Sequence, residues 1–370
     1  MSYFKTYYRF LKMYRLLMLR YSYLLLANQL GANWRPTYER ADQQHYGVPG
    51  FCPSNTQCLP LSSCPVLSNI VNHACVYSNR VTSLGCGYEG SGLVCCPRVS
   101  EGPPVVNQMG EKCGSSSVQG PNYNGLGAFP FVARIGFRNV VTGEMKYPCS
   151  GSIISNRIIL TAAHCALAKS DNYKLFTARV GEYLTDSRID CGEEFCALPV
   201  QDITISHVIL HPGYQKEIYK DNIALLVLNS KINYTVTAQP ICLPESWSVT
   251  GNYGTLVGWG KMAGQIEAPT YQQVLQFPIV GLQQCVNIYG RTLPITEYQL
   301  CAGGEHGKDA CTGFGGSPLL QSEGDTYYQV GILSFGSDQC GAPGIPSVYT
   351  NVKKYVNWIK ENSPVLYNNQ

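Results

Sequence analysis

The sequence predicts an all-β body that ends in a helix and is preceded by a small disulfide-stapled module. Three patterns carry this reading. Seven of the 17 cysteines crowd between Cys52 and Cys96, while ten are spread from Cys113 onward. The apolar runs of the second stretch are short and bounded by turn residues, as in Ser152 to Leu160, Ile223 to Leu228 and Tyr328 to Leu333. Near the end, Val352, Tyr355, Val356 and Ile359 recur at helical spacing. With 370 residues the chain is long enough for two or three folded units, and 14% charged against 45% hydrophobic residues excludes general disorder.

In chain order, residues 1–32 come first. Lys5, Arg9, Lys12, Arg15 and Arg20 precede a short apolar segment, Tyr21 to Ala27, with small residues at Ala27 and Ala32. This reads as a secretory signal, with Met13 and Met18 as alternative starts and a signal anchor as the alternative reading. No later run of about 20 apolar residues is present to span a membrane. These five cations account for the net charge of +3, since 22 basic residues face 24 acidic ones from Asn33 onward, a balance of −2. A nucleic-acid surface is therefore not expected. Seventeen cysteines without zinc-site CxxC and histidine pairings imply an oxidising, extracellular setting.

Residues 51–97 form the small module, which must be held by its bridges because so short a segment cannot build a sufficient core. Residues 98–112, PRVSEGPPVVNQMGEK with its leading Pro97, read as a linker. Residues 113–370 form the body.

At Cys149 to Cys165 the body reads CSGSIISNRIILTAAHC, at Asp221 to Leu228 it reads DNIALLVL, and at Gly307 to Leu320 it reads GKDACTGFGGSPLL. Here it resembles the chymotrypsin-like serine proteases from about Cys113 to the C-terminus. The resemblance implies a double β-barrel with a C-terminal helix, and it places His164 as the catalytic histidine and Asp221 as the triad aspartate. In such enzymes a serine attacks the carbonyl, the histidine takes its proton and the aspartate fixes the imidazole tautomer. The family's GDSGGP loop here reads Gly313-Phe314-Gly315-Gly316-Ser317-Pro318, so Gly315 replaces the nucleophile and Phe314 the aspartate before it. Ser317, two residues on, is too far displaced to substitute.

Two further departures concern activation and specificity. Active relatives are cut after Arg or Lys, and the new Ile/Val-Val-Gly-Gly ammonium pairs with the aspartate at the position of Phe314. The corresponding segment here is Ser117-Val118-Gln119-Gly120-Pro121, with no Lys or Arg between Lys112 and Arg134. Asp309 matches the residue that selects Arg or Lys in trypsin-like pockets. Ser347 stands where the family has glycine on the pocket wall, which narrows access. The resemblance also assigns Gly313, Ser334, Phe335 and Gly336 to substrate binding.

It further implies the disulfides Cys113–Cys242, Cys149–Cys165, Cys285–Cys301 and Cys311–Cys340, and Cys191 and Cys196, which remain, are close enough in sequence to bridge each other. Glu182, Glu193 and Glu194 flank a loop that binds calcium in some relatives; here scattered acids read as solvated, and neither metal nor cofactor is expected. Asn233, in Asn233-Tyr234-Thr235, is a glycosylation sequon. The small module, with CLPLSSC and CGYEGSGLVCCP, resembles the arthropod clip domain, which implies Cys52–Cys95, Cys58–Cys86 and Cys64–Cys96 and leaves Cys75 unpaired. Together the two resemblances point to the serine protease homologues of the secreted cascades that drive melanisation and Toll signalling. The expected function is binding, as cofactor or regulator of clip-domain proteases or of prophenoloxidase activation. The rival readings are an active trypsin-like endopeptidase and a decoy that holds substrate in an open Asp309 pocket.

Overall fold

The computed structural model describes residues 52, 56–64, 86, 92–97, 110–118, 124–168, 172–187, 189–192, 196–244, 251–337 and 340–363. The chain divides into two compact units, Met1–His45 and Tyr46–Gln370, and every described residue belongs to the second. The expected signal, Cys75, Glu193, Glu194 and most of the linker lie outside the described residues.

In the small module β1 (Thr56–Pro60) pairs antiparallel with β2 (Leu93–Pro97), setting Cys58 opposite Cys95 and Leu59 opposite Val94. Cys52–Cys95, Cys58–Cys86 and Cys64–Cys96 bridge it. A lone two-stranded ribbon is marginal in water. This one buries Cys64, Val94 and Cys96 against Val118, Leu126, Ala197 and Val236 of the body, so its small core is shared rather than private.

The body contains two closed six-stranded barrels. The first is built from β3 (Val132–Asn139), β4 (Met145–Ser155), β5 (Ile158–Thr161), β6 (Tyr173–Val180), β7 (Gln201–Leu210) and β8 (Ala224–Leu228), in the spatial order β3-β4-β5-β8-β7-β6. The second uses β9 (Tyr253–Gly258), β10 (Gln273–Val280), β11 (Gln299–Gly303), β12 (Pro318–Glu323), β13 (Thr326–Phe335) and β14 (Pro346–Asn351), in the order β10-β11-β14-β13-β12-β9. Closure pairs every strand on both sides and removes open edges. Inward residues such as Ile135, Ile153, Ile159 and Leu225 are fully buried in the first barrel, as are Leu256 and Leu319 in the second.

The apolar run Ser152 to Leu160 divides at a turn into β4 and β5, because Asn156-Arg157 interrupts it. The terminal helix begins as a 3₁₀ turn, Val352–Tyr355, and continues as an α-helix, Val356–Asn362, burying Val352, Tyr355, Val356 and Ile359 on the first barrel's core. Among the described residues no helix is long and apolar enough to cross a membrane. Cys113–Cys242, Cys149–Cys165, Cys191–Cys196, Cys285–Cys301 and Cys311–Cys340 brace the body.

Candidate functional site

The short helix α1 (Ala163–Ala166) follows β5, and Cys149–Cys165 pins it to β4, which fixes the backbone around His164. The backbone N–H of His164 donates to Oδ1 of Asn222 at 2.9 Å. A backbone amide can only donate, so this bond settles which end of the Asn222 side chain is oxygen. The amide nitrogen then lies 2.9 Å from His164 Nδ1 and donates to Ser334 Oγ at 2.7 Å. Of the two Asn222 atoms near Nδ1, the amide nitrogen at 2.9 Å is closer than Oδ1 at 3.4 Å, and this makes Nδ1 the acceptor and puts the proton of the neutral ring on Nε2. Burial pushes the His164 pKa below its ordinary 6.5, against a smaller upward pull from the Asn222 carbonyl oxygen, which lies 3.4 Å from Nδ1, so the neutral form is favoured.

Asn222, rather than Asp221, thus faces the histidine, which corrects the assignment of the triad position. Asp221 turns the other way: its backbone takes φ 49°, its Oδ1 accepts the Tyr355 hydroxyl at 2.7 Å, and its Oδ2 lies 3.8 Å from His211 Nδ1. The motif offers two adjacent polar residues before one apolar run, and the left-handed backbone at Asp221 turns its side chain away from that of Asn222. The signal that separates them is position, because Asn222 is the residue that directly precedes Ile223-Ala224-Leu225-Leu226. Residue type favours Asp221, and residue type is what misleads.

Gly315 lies against the other ring nitrogen. A Cβ built on it would be 3.0 Å from His164 Nε2 and 3.3 Å from Cys165 Sγ, while Nε2 itself is 3.4 Å from Cys165 Sγ. The imidazole therefore crowds the space above the glycine. Ser317 is fully buried and its hydroxyl, with no hydrogen-bond partner among the described residues, faces Gly258. Cys149, His164 and Cys165 gather closely, but both sulfurs are committed to a disulfide and cannot serve as thiolate ligands.

Asp309, expected at the base of a specificity pocket, is only 4% exposed. Its Oδ1 accepts the Ser347 hydroxyl at 2.9 Å and the Ala310 N–H at 2.8 Å, and its Oδ2 accepts the Gly341 N–H at 3.2 Å. Ser347, expected only to narrow access, thus caps the Asp309 carboxylate. Its Oγ also lies 2.9 Å from where a Cβ on Gly336 would stand. Below them, burial and the Asp309 charge push the Tyr349 phenol pKa upward. Gly313 takes φ 101°, a left-handed conformation that suits glycine. Phe335 packs on Tyr219 at 5.1 Å and on Tyr289 at 5.6 Å, and Tyr219 is 6.1 Å from the His164 ring.

At the segment that corresponds to the activation switch, Val118 is 1% exposed and sealed beneath the small module. Ser116 Oγ accepts its N–H at 3.1 Å. Glu182 is buried between Arg179 at 3.2 Å and Arg134 at 3.5 Å. Asn233 is exposed beside Gln201.

The family model described as Trypsin matches residues 118–359. The chain is 36% identical to CLIP domain-containing serine protease B4 of Anopheles gambiae, over 76% of this chain and 81% of that protein. It is 34% identical to Phenoloxidase-activating factor 1 of Holotrichia diomphalia, over 83% and 91% respectively. Against Serine protease ea of Drosophila melanogaster it is 33% identical, over 74% and 79%. Two barrels meeting at His164, a bridged module joined to them and these matches have one reading: the chain belongs to the clip-domain serine protease family.

Proposed function

We propose that this chain is a secreted, non-catalytic clip-domain serine protease homologue that acts by binding, as cofactor or regulator in an extracellular proteolytic cascade. The carrying observation is the pair of residues around His164. A general base needs a lone pair on Nε2 and a hydroxyl in front of it; here Asn222 directs the lone pair to Nδ1, and the residue in front is Gly315. Loss of a nucleophile alone costs about a million-fold in turnover, and loss of the triad carboxylate about ten thousand-fold, the two not being additive.

The density of disulfides supports secretion. Relatives named as phenoloxidase-activating factors support a place among such cascades, with clip-domain proteases or prophenoloxidase as the partner class. The decoy reading loses support from the capped Asp309, and the endopeptidase reading from Gly315 and Asn222. Purified protein should give no amidase activity on arginine or lysine substrates and no covalent labelling by a serine-directed phosphonate. Turnover with stoichiometric labelling of any serine would overturn the proposal. Pull-down from the secreted fluid with the full chain would then identify the partner.

A further inference from the structure

Phe314 occupies the position at which an activated relative holds a carboxylate for its new ammonium terminus. Its side chain is fully buried. The ring straddles the backbone of Gly258-Trp259-Gly260: a Cβ on Gly258 would lie 2.9 Å from Cδ1, and one on Gly260 would lie 2.7 Å from Cε2. Real Cβ atoms do not approach that closely, so the ring fits because both flanking residues are glycine. Beyond them it joins an apolar cluster with Leu256, Ala310, Leu319 and Tyr349.

Backbone bonds stitch the same loop to the same segment. Cys311 N–H donates to Lys261 O at 2.8 Å, Lys261 N–H to Thr312 O at 2.9 Å, and Ala263 N–H to Asp309 O at 3.1 Å. Val118, which would supply the ammonium after a cut, lies in the other apolar cluster, under the small module. The loop's order and the switch segment are thus physically separate in this chain.

We propose that Phe314, seated across Gly258 and Gly260, holds the 309–317 loop in its ordered form in the uncut chain, so that the cleft face is presented without proteolytic activation. Apolar burial within the chain replaces an ion pair that would otherwise have to be made by cleavage. The inference rests on the binding function proposed above only in taking the cleft face as something to be presented.

Hydrogen exchange read by mass spectrometry on the full, uncut protein tests it. Peptides covering 310–317 should be protected comparably to β13. Phe314→Ala should speed their exchange by at least about tenfold while β5 and β8 stay within about twofold of wild type. Phe314→Leu keeps part of the apolar volume and should speed them by only about threefold, and it carries the test if Phe314→Ala is not secreted. Rapid exchange of 310–317 in the wild type, an unchanged loop in either variant, or an equal rise through both barrels would each overturn the proposal, the last by showing an ordinary core residue. The amidase assay is independent of these readouts. An inactive chain with a rapidly exchanging loop refutes the strut and spares the non-catalytic reading, while turnover by a chain with a protected loop does the reverse.

Discussion

Asn222 grips His164 at two points, taking its backbone N–H on Oδ1 and presenting its amide nitrogen 2.9 Å from Nδ1. Two bonds from one side chain fix the position of the imidazole and its tautomer together. A carboxylate in that place would accept from Nδ1–H and leave Nε2 as the base. The amide reverses this polarity, so the ring presents an N–H toward Gly315 and Cys165. The histidine survives as a packed, neutral group rather than as a poised base.

The first prediction concerns pH. Because burial depresses the folded-state pKa of His164 below its ordinary 6.5, the unfolded chain binds more protons between those two values. Stability is then fully present above 6.5 and is lost as pH falls toward the folded pKa, by up to about 1.4 kcal/mol per pH unit from this one group. Other titrating groups contribute, so the difference from His164→Gln isolates the term. Melting temperatures of both proteins should converge as pH drops from 7.5 to 5. Parallel curves would mean that His164 is not held neutral.

Strands β4, β5, β8 and β13 are legible in the sequence because their apolar runs are short and bounded by turn residues, and the terminal helix follows from its spacing, whereas the closure into two barrels follows from the resemblance. The triad position was legible only as a region. Asp221 and Asn222 differ by one residue, and only the turn at Asp221, with φ 49°, decides which of the two faces the histidine. Ser347 and Asp309 are far apart in sequence and meet through barrel closure, so the cap appears only when β14 is placed beside the loop. The seam between Val118 and Val94 has the same origin, since each reads alone as an ordinary apolar residue.

Ser347→Gly removes the hydroxyl that caps Asp309 and leaves Oδ1 with the Ala310 N–H alone. The freed carboxylate should accept an amidinium. Benzamidine binding by calorimetry should be undetectable for the wild type and strengthen by at least about tenfold in the variant, the scale of one charge-assisted hydrogen bond in a pocket. Equal binding by both proteins would show that the cap yields freely to a ligand and would revive the decoy reading.

Lys112 is exposed next to Cys113, so limited trypsin cleavage there severs the small module from the body without cutting the Cys113–Cys242 bridge. The shared cluster of Cys64, Val94 and Cys96 with Val118, Leu126 and Val236 should nonetheless keep the pieces together. Native gel filtration should show one peak, and a non-reducing denaturing gel two bands. Val236→Asp places a charge in that cluster and should split the native peak. Separation of the cut wild type under native conditions would show that the seam is too weak to act as an interface. One band on the non-reducing denaturing gel would show a further bridge between the blocks.

Gly315→Ser alone should not create an enzyme, and the geometry gives three reasons. The new Cβ would lie 3.0 Å from His164 Nε2, so the ring must give way by a few tenths of an ångström while Asn222 holds it from behind. The serine would also face an N–H instead of a lone pair and so could not lose its proton to the ring. Finally, Ser347 would still cap the carboxylate needed by an Arg or Lys side chain. Asn222→Asp corrects the tautomer, and Ser347→Gly opens the pocket. A triple variant, Gly315→Ser with Asn222→Asp and Ser347→Gly, should therefore show phosphonate labelling that the single variant lacks. Phe314 distinguishes two further outcomes. If it holds the loop in the ordered form, the triple variant should cleave arginine substrates slowly without being cut itself. If the loop instead needs an ammonium-carboxylate pair, activity should appear only when Phe314→Asp, Ser317→Gly and an Arg-Ile-Val-Gly-Gly segment across Ser117 to Pro121 are added and the chain is processed. Cleavage by the Gly315→Ser single variant at the rate of the triple would remove the tautomer argument, because it would show that His164 reaches its basic form despite Asn222.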